Sequence, residues 1–235
     1  IVAGVVDENK KIIATAKVKT NCPRPAEEIV DDIAKVAIDA IKKAGLTIDD
    51  IDGFGIGSPG SIESNTGVVI YSNNLGFFDL PLGEMLEERI GKKFYVDNDA
   101  NAAAYGEFIA GAGKGTNNFV AITLGTGVGG GVIIDGKIFS GSNGAGAELG
   151  HTVIQMNGEP CTCGRNGCWE AYASATALIR QTYQAMLRYS DSLMWKLCDG
   201  NLDNISGLTA FNAMRSGDMA GKMVVDQYIR YIAVG

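Results

Sequence analysis

The single histidine of the sequence stands just ahead of its only crowd of cysteines. Glu148-Leu149-Gly150-His151 is followed, after nine residues, by Cys161-Thr162-Cys163-Gly164-Arg165-Asn166-Gly167-Cys168. One imidazole and three thiolates complete a tetrahedral set for zinc, and a closed set of four leaves no open position, so a metal held here would be structural. A lone histidine is often structural and buried free cysteines are common. The coincidence of the two favours His151, Cys161, Cys163 and Cys168 as metal ligands. Glu148 and Glu170 bracket this loop and are either hydrogen-bond acceptors for nearby hydroxyls or solvated acids. A second constellation is Leu124-Gly125-Thr126-Gly127-Val128-Gly129-Gly130-Gly131, placed between two β-rich apolar runs. Glycines at that spacing let successive backbone N–H groups converge on an anion, and the Thr126 hydroxyl adds to them, which suits nucleotide phosphates. Neither a P-loop Lys nor a following helix is present, so the alternative is a hairpin without a ligand. The third is Asp97-Asn98-Asp99-Ala100-Asn101. It reads either as a helix N-cap or as a general-base carboxylate whose neighbouring amide binds a polyhydroxylated substrate.

These groups need elements to place them. Ile1–Val6 reads as a strand, Asp7–Lys10 as a turn and Lys11–Lys19 as the returning strand. Ala26–Ala44 carries a helical apolar stripe with acids first, lysines last and Gly45 beyond. Ile51–Ile56 reads as a buried strand running into Gly57-Ser58-Pro59-Gly60, Leu82–Ile90 as a helix, Phe94–Val96 as a strand and the alanine-rich Ala100–Gly111 as a helix. Strands alternating with helices predict an α/β fold with parallel pairing and ligands beyond the carboxyl ends of strands, where Asp99 falls. At an offset of 127, Val128–Lys137 lies over Ile1–Lys10 and matches it at Gly131, Val132 and Lys137. Two similar lobes, 1–114 and 115–235, follow from this repeat, with the strand and glycine turn of Val120–Gly127 having no counterpart in the first. The alternative is two unrelated hairpins.

Composition bounds the partners. A net charge of −7 argues against nucleic acid and anionic membranes as partners, and no run of about 18 apolar residues is present to span a bilayer. Of the five cysteines, Cys22 and Cys198 stand alone and read as ordinary thiols.

Taken together and in this order, the motifs resemble those of the ROK family of bacterial sugar kinases and sugar-responsive repressors, and within it the glucokinases. The matching residues are Gly57–Gly60, Asp97–Ala104, Leu124–Gly131, Gly146–His151 and the Cys-x-Cys-Gly-x-x-Gly-Cys-Trp-Glu run ending at Glu170. The resemblance implies an actin-like ATPase fold of two ribonuclease-H-like lobes acting on ATP, Mg²⁺ and a hexose in the cytoplasm. It implies that Asp99 takes the proton from the sugar 6-hydroxyl, that Gly60, Asn98, Glu148, His151 and Glu170 line or bind the sugar, and that Gly125, Thr126 and Gly127 hold phosphates. It also implies zinc on one nitrogen of His151 with the sugar on the other, and a homo-oligomer, either a dimer or a tetramer. Glucose is the expected substrate. Fructose, mannose or N-acetylmannosamine, or a repressor role, are the alternatives.

The sequence departs from the family pattern in three places. It carries no Asp-x-Gly-Gly-Thr loop before the first hairpin, it ends at Gly235 ahead of the adenosine-binding glycine loop, and it has Phe77 and Phe78 where many relatives have tryptophan. The sequence as it stands is therefore expected to bind zinc but to phosphorylate poorly.

Overall fold

A computed structural model describes residues 1–142 and 144–235 of the chain. A run of apolar residues, Val-Ala-Gly-Val-Val, forms β1 (Val2–Val6), which pairs antiparallel with β2 (Ile12–Lys17). Helix α1 (Ala26–Lys43) follows, with Glu27 and Glu28 in the first turn and Lys42 and Lys43 in the last, each at the favourable pole of the helix dipole. Its apolar stripe serves two cores. Ile29, Val30 and Ala34 pack with Val69, Phe77, Leu82, Leu86 and Val96, whereas Val36, Ala40 and Ile41 pack with Val5 and Ala16. Each fully buried Ile, Leu or Phe contributes about 1.5–3 kcal/mol.

Next come β3 (Phe54–Ser58), β4 (Ser61–Glu63), β5 (Val68–Ser72), β6 (Phe77–Leu80), α2 (Leu82–Ile90), β7 (Phe94–Asn98) and α3 (Asp99–Ala110). The expected parallel pairing is present between β3 and β7, in register from Phe54 opposite Phe94 to Ser58 opposite Asn98. Strands β4, β5 and β6 form an antiparallel sheet that periodicity did not predict, because strands of three to five residues carry too few alternations to register. Arg89 on α2 binds Asp31 on α1 at 2.7 Å and also pairs with Glu27, fastening the two helices.

The strands β8 (Phe119–Leu124), β9 (Val128–Ile134) and β10 (Lys137–Ile138) lie in the order β10–β9–β8. Both segments matched at an offset of 127 are antiparallel hairpins, but their turns differ. Ile134 pairs with Lys137 across Asp135-Gly136, both at positive φ as a two-residue hairpin turn requires. Val6 pairs instead with Ile12 beside a bulge. An apolar groove of about 760 Å³ runs along β1, β3 and α1. By the repeat, the β1 edge on this groove corresponds to the β9 edge that β8 occupies.

Helices α4 (Glu170–Ala173), α5 (Ala175–Arg188), α6 (Leu193–Leu197), α7 (Thr209–Arg215) and α8 (Met219–Val234) complete the chain around a core of Leu178, Met186, Met194, Ala213, Val225 and Tyr228. The chain divides into two compact units, Ile1–Ala121 with Gly131–Gly146, and Ile122–Gly130 with Ala147–Gly235. The turn end of the β8–β9 hairpin counts with the second unit, and Gly131–Gly146 counts with the first. Among the described residues no helix is long and apolar enough to cross a membrane.

One carboxylate fastens two of the late helices. Asp218 accepts the Gly221 N–H at 2.6 Å as the N-cap of α8, and it accepts the Leu193 N–H at 2.8 Å and the Ser192 hydroxyl at 3.0 Å at the start of α6. Burial raises its pKa, but these hydrogen bonds outweigh burial and hold it below the usual carboxylate value. Asp218→Ala is expected to cost about 1–2 kcal/mol in urea denaturation. Because the native carboxyl titrates below its unfolded value of about 3.9, its stabilisation is complete above that pH and is lost as pH falls through the native pKa. The difference between wild type and variant should therefore shrink in acid.

Candidate active site and metal cluster

Strand β7 runs directly into α3, so Asn98 and Asp99 lie at a strand's carboxyl end. The two readings of this segment fall on adjacent residues. Asn98 is the cap, its Oδ1 accepting the N–H groups of Ala100 at 2.9 Å and Asn101 at 3.2 Å, while its Nδ2 donates to the Gly60 carbonyl at 3.0 Å. Asp99 is exposed, and one of its oxygens accepts the Ala100 N–H at 2.9 Å. The other accepts no hydrogen bond among the described residues. Asp97 is turned inward and accepts from Asn101 Nδ2 at 3.1 Å. Helix α3 is set in place by bare backbone: a Cβ on Gly131 would come within 2.2 Å of the Ala104 Cβ, and one on Gly57 within 3.0 Å of the Ala102 Cβ. Asn98→Asp keeps an N-cap acceptor but turns an oxygen toward the Gly60 carbonyl. It is expected to lose about 1–2 kcal/mol in thermal or urea unfolding, which separates the Gly60 tether from the cap.

The glycine turn between β8 and β9 closes on itself through the Gly125 N–H donating to the Gly127 carbonyl at 2.9 Å. The start of α5 anchors it. Ala175 N–H donates to the Gly125 carbonyl and the Thr176 hydroxyl to the Thr126 carbonyl, each at 2.8 Å. Val128 N–H donates to Glu170 Oε2 at 2.9 Å. The N–H groups of Thr126 and Gly127 take no partner among the described residues, and Thr126 is exposed. Two adjacent amides and a hydroxyl are thus presented to an anion. Thr176 escaped the sequence reading. Its signal was Ser174, which caps α5 by accepting the Ala177 N–H.

The four predicted metal ligands come together, with Nδ1 or Nε2 of His151 and the Sγ atoms of Cys161, Cys163 and Cys168 all within 4.8 Å of one another. Zinc at its ordinary bond lengths of about 2.3 Å to sulfur and about 2.0 Å to nitrogen separates neighbouring ligand atoms by about 3.5–3.8 Å. The Cys163 and Cys168 sulfurs are 3.6 Å apart, as are Cys161 Sγ and His151 Nδ1, so the donor set fits. The ring nitrogens are also sorted. Nδ1 faces the thiols, and Nε2 faces Glu148, 3.9 Å from its Oε2. Arg165 donates to the His151 carbonyl at 2.8 Å. At Cys163 burial raises the thiol, but hydrogen bonds from Arg165 and the other two thiols bring it down to about 6. At Cys168 burial and hydrogen bonding to Cys163 and Cys161 push the thiol up to about 12. One site thus favours thiolate while another holds its proton, and a bound metal would displace such a proton.

The ROK family model matches residues 1–235. The chain belongs to the ROK family. Its ROK relatives include the glucokinase of Thermotoga maritima, 38% identical over 98% of this chain and 71% of that protein, and the glucokinase of Streptomyces coelicolor, 42% identical over 92% of this chain and 67% of that one. Among solved ROK structures, a glucokinase from Streptomyces griseus in complex with glucose and AMPPNP superposes with a TM-score of 0.83 at 39% identity, covering 98% of this chain and 72% of that chain. The fold is the actin-like ATPase fold of ROK sugar kinases.

Proposed function

We propose that this ROK protein transfers the γ-phosphoryl group of ATP to the 6-hydroxyl of a hexose, with glucose as the preferred acceptor. The observation that carries the reading is Asp99: an exposed carboxylate at the end of β7, with one oxygen unengaged, on a helix whose first turn Asn98 holds rigidly. In this role Asp99 accepts the hydroxyl proton as the sugar oxygen attacks phosphorus. Asn98, Glu148, His151 and Glu170 accept or donate to the remaining hydroxyls, with Gly60 lining the sugar. Asn98 has one N–H left for this after its bond to Gly60. Gly125, Thr126 and Gly127 hold phosphate oxygens. Mg²⁺ supplies charge neutralisation on the phosphates when bound, and the protein's own contribution is alignment and the exclusion of water. His151, Cys161, Cys163 and Cys168 hold a structural zinc that orders the loop between His151 and Glu170. Under this reading, which follows the resemblance to the glucokinases, the protein acts in the cytoplasm as a homo-oligomer, a dimer or tetramer.

Hexose-dependent ADP release from the full-length gene product tests this, with glucose expected to outrun fructose, mannose and N-acetylmannosamine. No ADP release with any of them overturns the kinase reading. Sugar binding without ADP release points instead to a sugar-responsive repressor.

A further inference from the structure

The Glu170 carboxylate touches both the phosphate turn and the cysteine loop. Its Oε2 accepts the Val128 N–H at 2.9 Å, and its Oε1 lies 3.3 Å from the Thr162 hydroxyl. Thr162 stands between two of the metal-ligand cysteines, so its position is set by the order of that loop. On the other side the fit is tight. A Cβ on Gly127 would come within 2.2 Å of Oε2, so the carboxylate lies close against the turn. The backbone next to Glu170 is anchored from outside the loop, because the buried Trp169 before it donates from Nε1 to the Tyr231 carbonyl at 2.7 Å. Only the side chain is therefore left to be oriented, and Thr162 is the hydroxyl that meets its outer oxygen.

We infer that Glu170, besides the sugar contact proposed above, ties the phosphate turn to the cysteine loop, so that ordering the loop with zinc raises the affinity of the turn for nucleotide phosphate. With Oε1 held by Thr162, Oε2 stays on the Val128 N–H, and the adjoining amides of Thr126 and Gly127 keep the orientation an anion needs. With the loop disordered the carboxylate turns freely, and the turn must be ordered at the expense of binding. The nucleotide half of this inference rests on the kinase reading above, whereas the tether itself does not.

The test uses Thr162→Val, which removes the hydroxyl from an exposed residue outside the proposed catalytic and ligand groups. Two quantities are read in zinc-loaded and in chelated protein: amide hydrogen exchange at Val128, and the affinity for MgAMPPNP by calorimetry. In the loaded protein the substitution is expected to speed Val128 exchange and weaken MgAMPPNP, each by about three- to tenfold. Thr162→Ser, which keeps the hydroxyl, restores both. After chelation the wild type falls to the level of the valine variant, which loses nothing further. Unchanged Val128 exchange in loaded Thr162→Val overturns the tether, and equal losses in loaded and chelated protein overturn its dependence on the loop. If Val128 responds as expected but the wild type binds no MgAMPPNP, the tether stands, and its link to nucleotide falls together with the kinase reading.

Discussion

Asp99→Ala is expected to lower hexose phosphorylation by about 10²–10⁴-fold, the usual contribution of a positioned general base. The loss should appear in kcat, with glucose binding by calorimetry still measurable, because the Asn98 amide and the hydroxyl-binding groups proposed elsewhere are untouched. The structure makes this substitution unusually clean. Asp99 is exposed, its one hydrogen bond is to the neighbouring Ala100 N–H, and that N–H is also served by Asn98 Oδ1 at 2.9 Å, so the helix cap survives. Asp99→Asn should behave likewise, since an amide has the same shape but takes no proton. Turnover within a factor of a few of wild type would remove Asp99 from the base role.

The second large effect is on the metal cluster. Purified protein is expected to carry one zinc per chain by elemental analysis, and Cys168→Ser should lose it, because Cys168 is fully buried and its sulfur is 3.6 Å from that of Cys163. The residues between His151 and Cys168 bury little of their own, and Val153 and Met156 are both exposed. Without metal this loop has few contacts to replace the lost ones. Zinc at about a thousandfold above its dissociation constant stabilises the folded state by about 4 kcal/mol, which for a chain of this size is about 8–16 °C in Tm. Chelation of wild type and the Cys168→Ser substitution should give similar drops. A chelated protein melting where the loaded one does would make these four side chains a cluster without a metal.

Much of this was legible in the sequence, and the limits have physical causes. Helices α1, α2 and α3 announce themselves through pattern and composition: acids before lysines and Gly45 beyond in α1, an amphipathic stretch in α2, and alanine enrichment after Asp97-Asn98-Asp99 in α3. The His151, Cys161, Cys163 and Cys168 cluster was legible because histidine and cysteine are scarce and thiol chemistry is particular. What escaped depends on contacts far apart in the chain. Glu170 could be marked as an acid beside the cysteines, but its partner Val128 lies 42 residues away, and only folding brings the two together. The β8–β9 hairpin is a related case, since it divides between two compact units that a linear reading must cut once. The Asp97–Asn101 segment suggests an N-cap, but which residue caps, and the bond of Asn98 to Gly60, are set by the fold.

The glycine seats of α3 decide how the proposed base responds to its surroundings. Gly57 and Gly131 hold that helix through contact of bare backbone with Ala102 and Ala104, and dispersion contacts of this kind carry no charge to be screened. Ionic strength should therefore leave the placement of Asp99 unchanged, while the repulsion between the nucleotide, still net negative with magnesium bound, and a chain of net charge −7 is screened by salt. A salt titration divides the two: KM for ATP moves, and kcat at saturation holds.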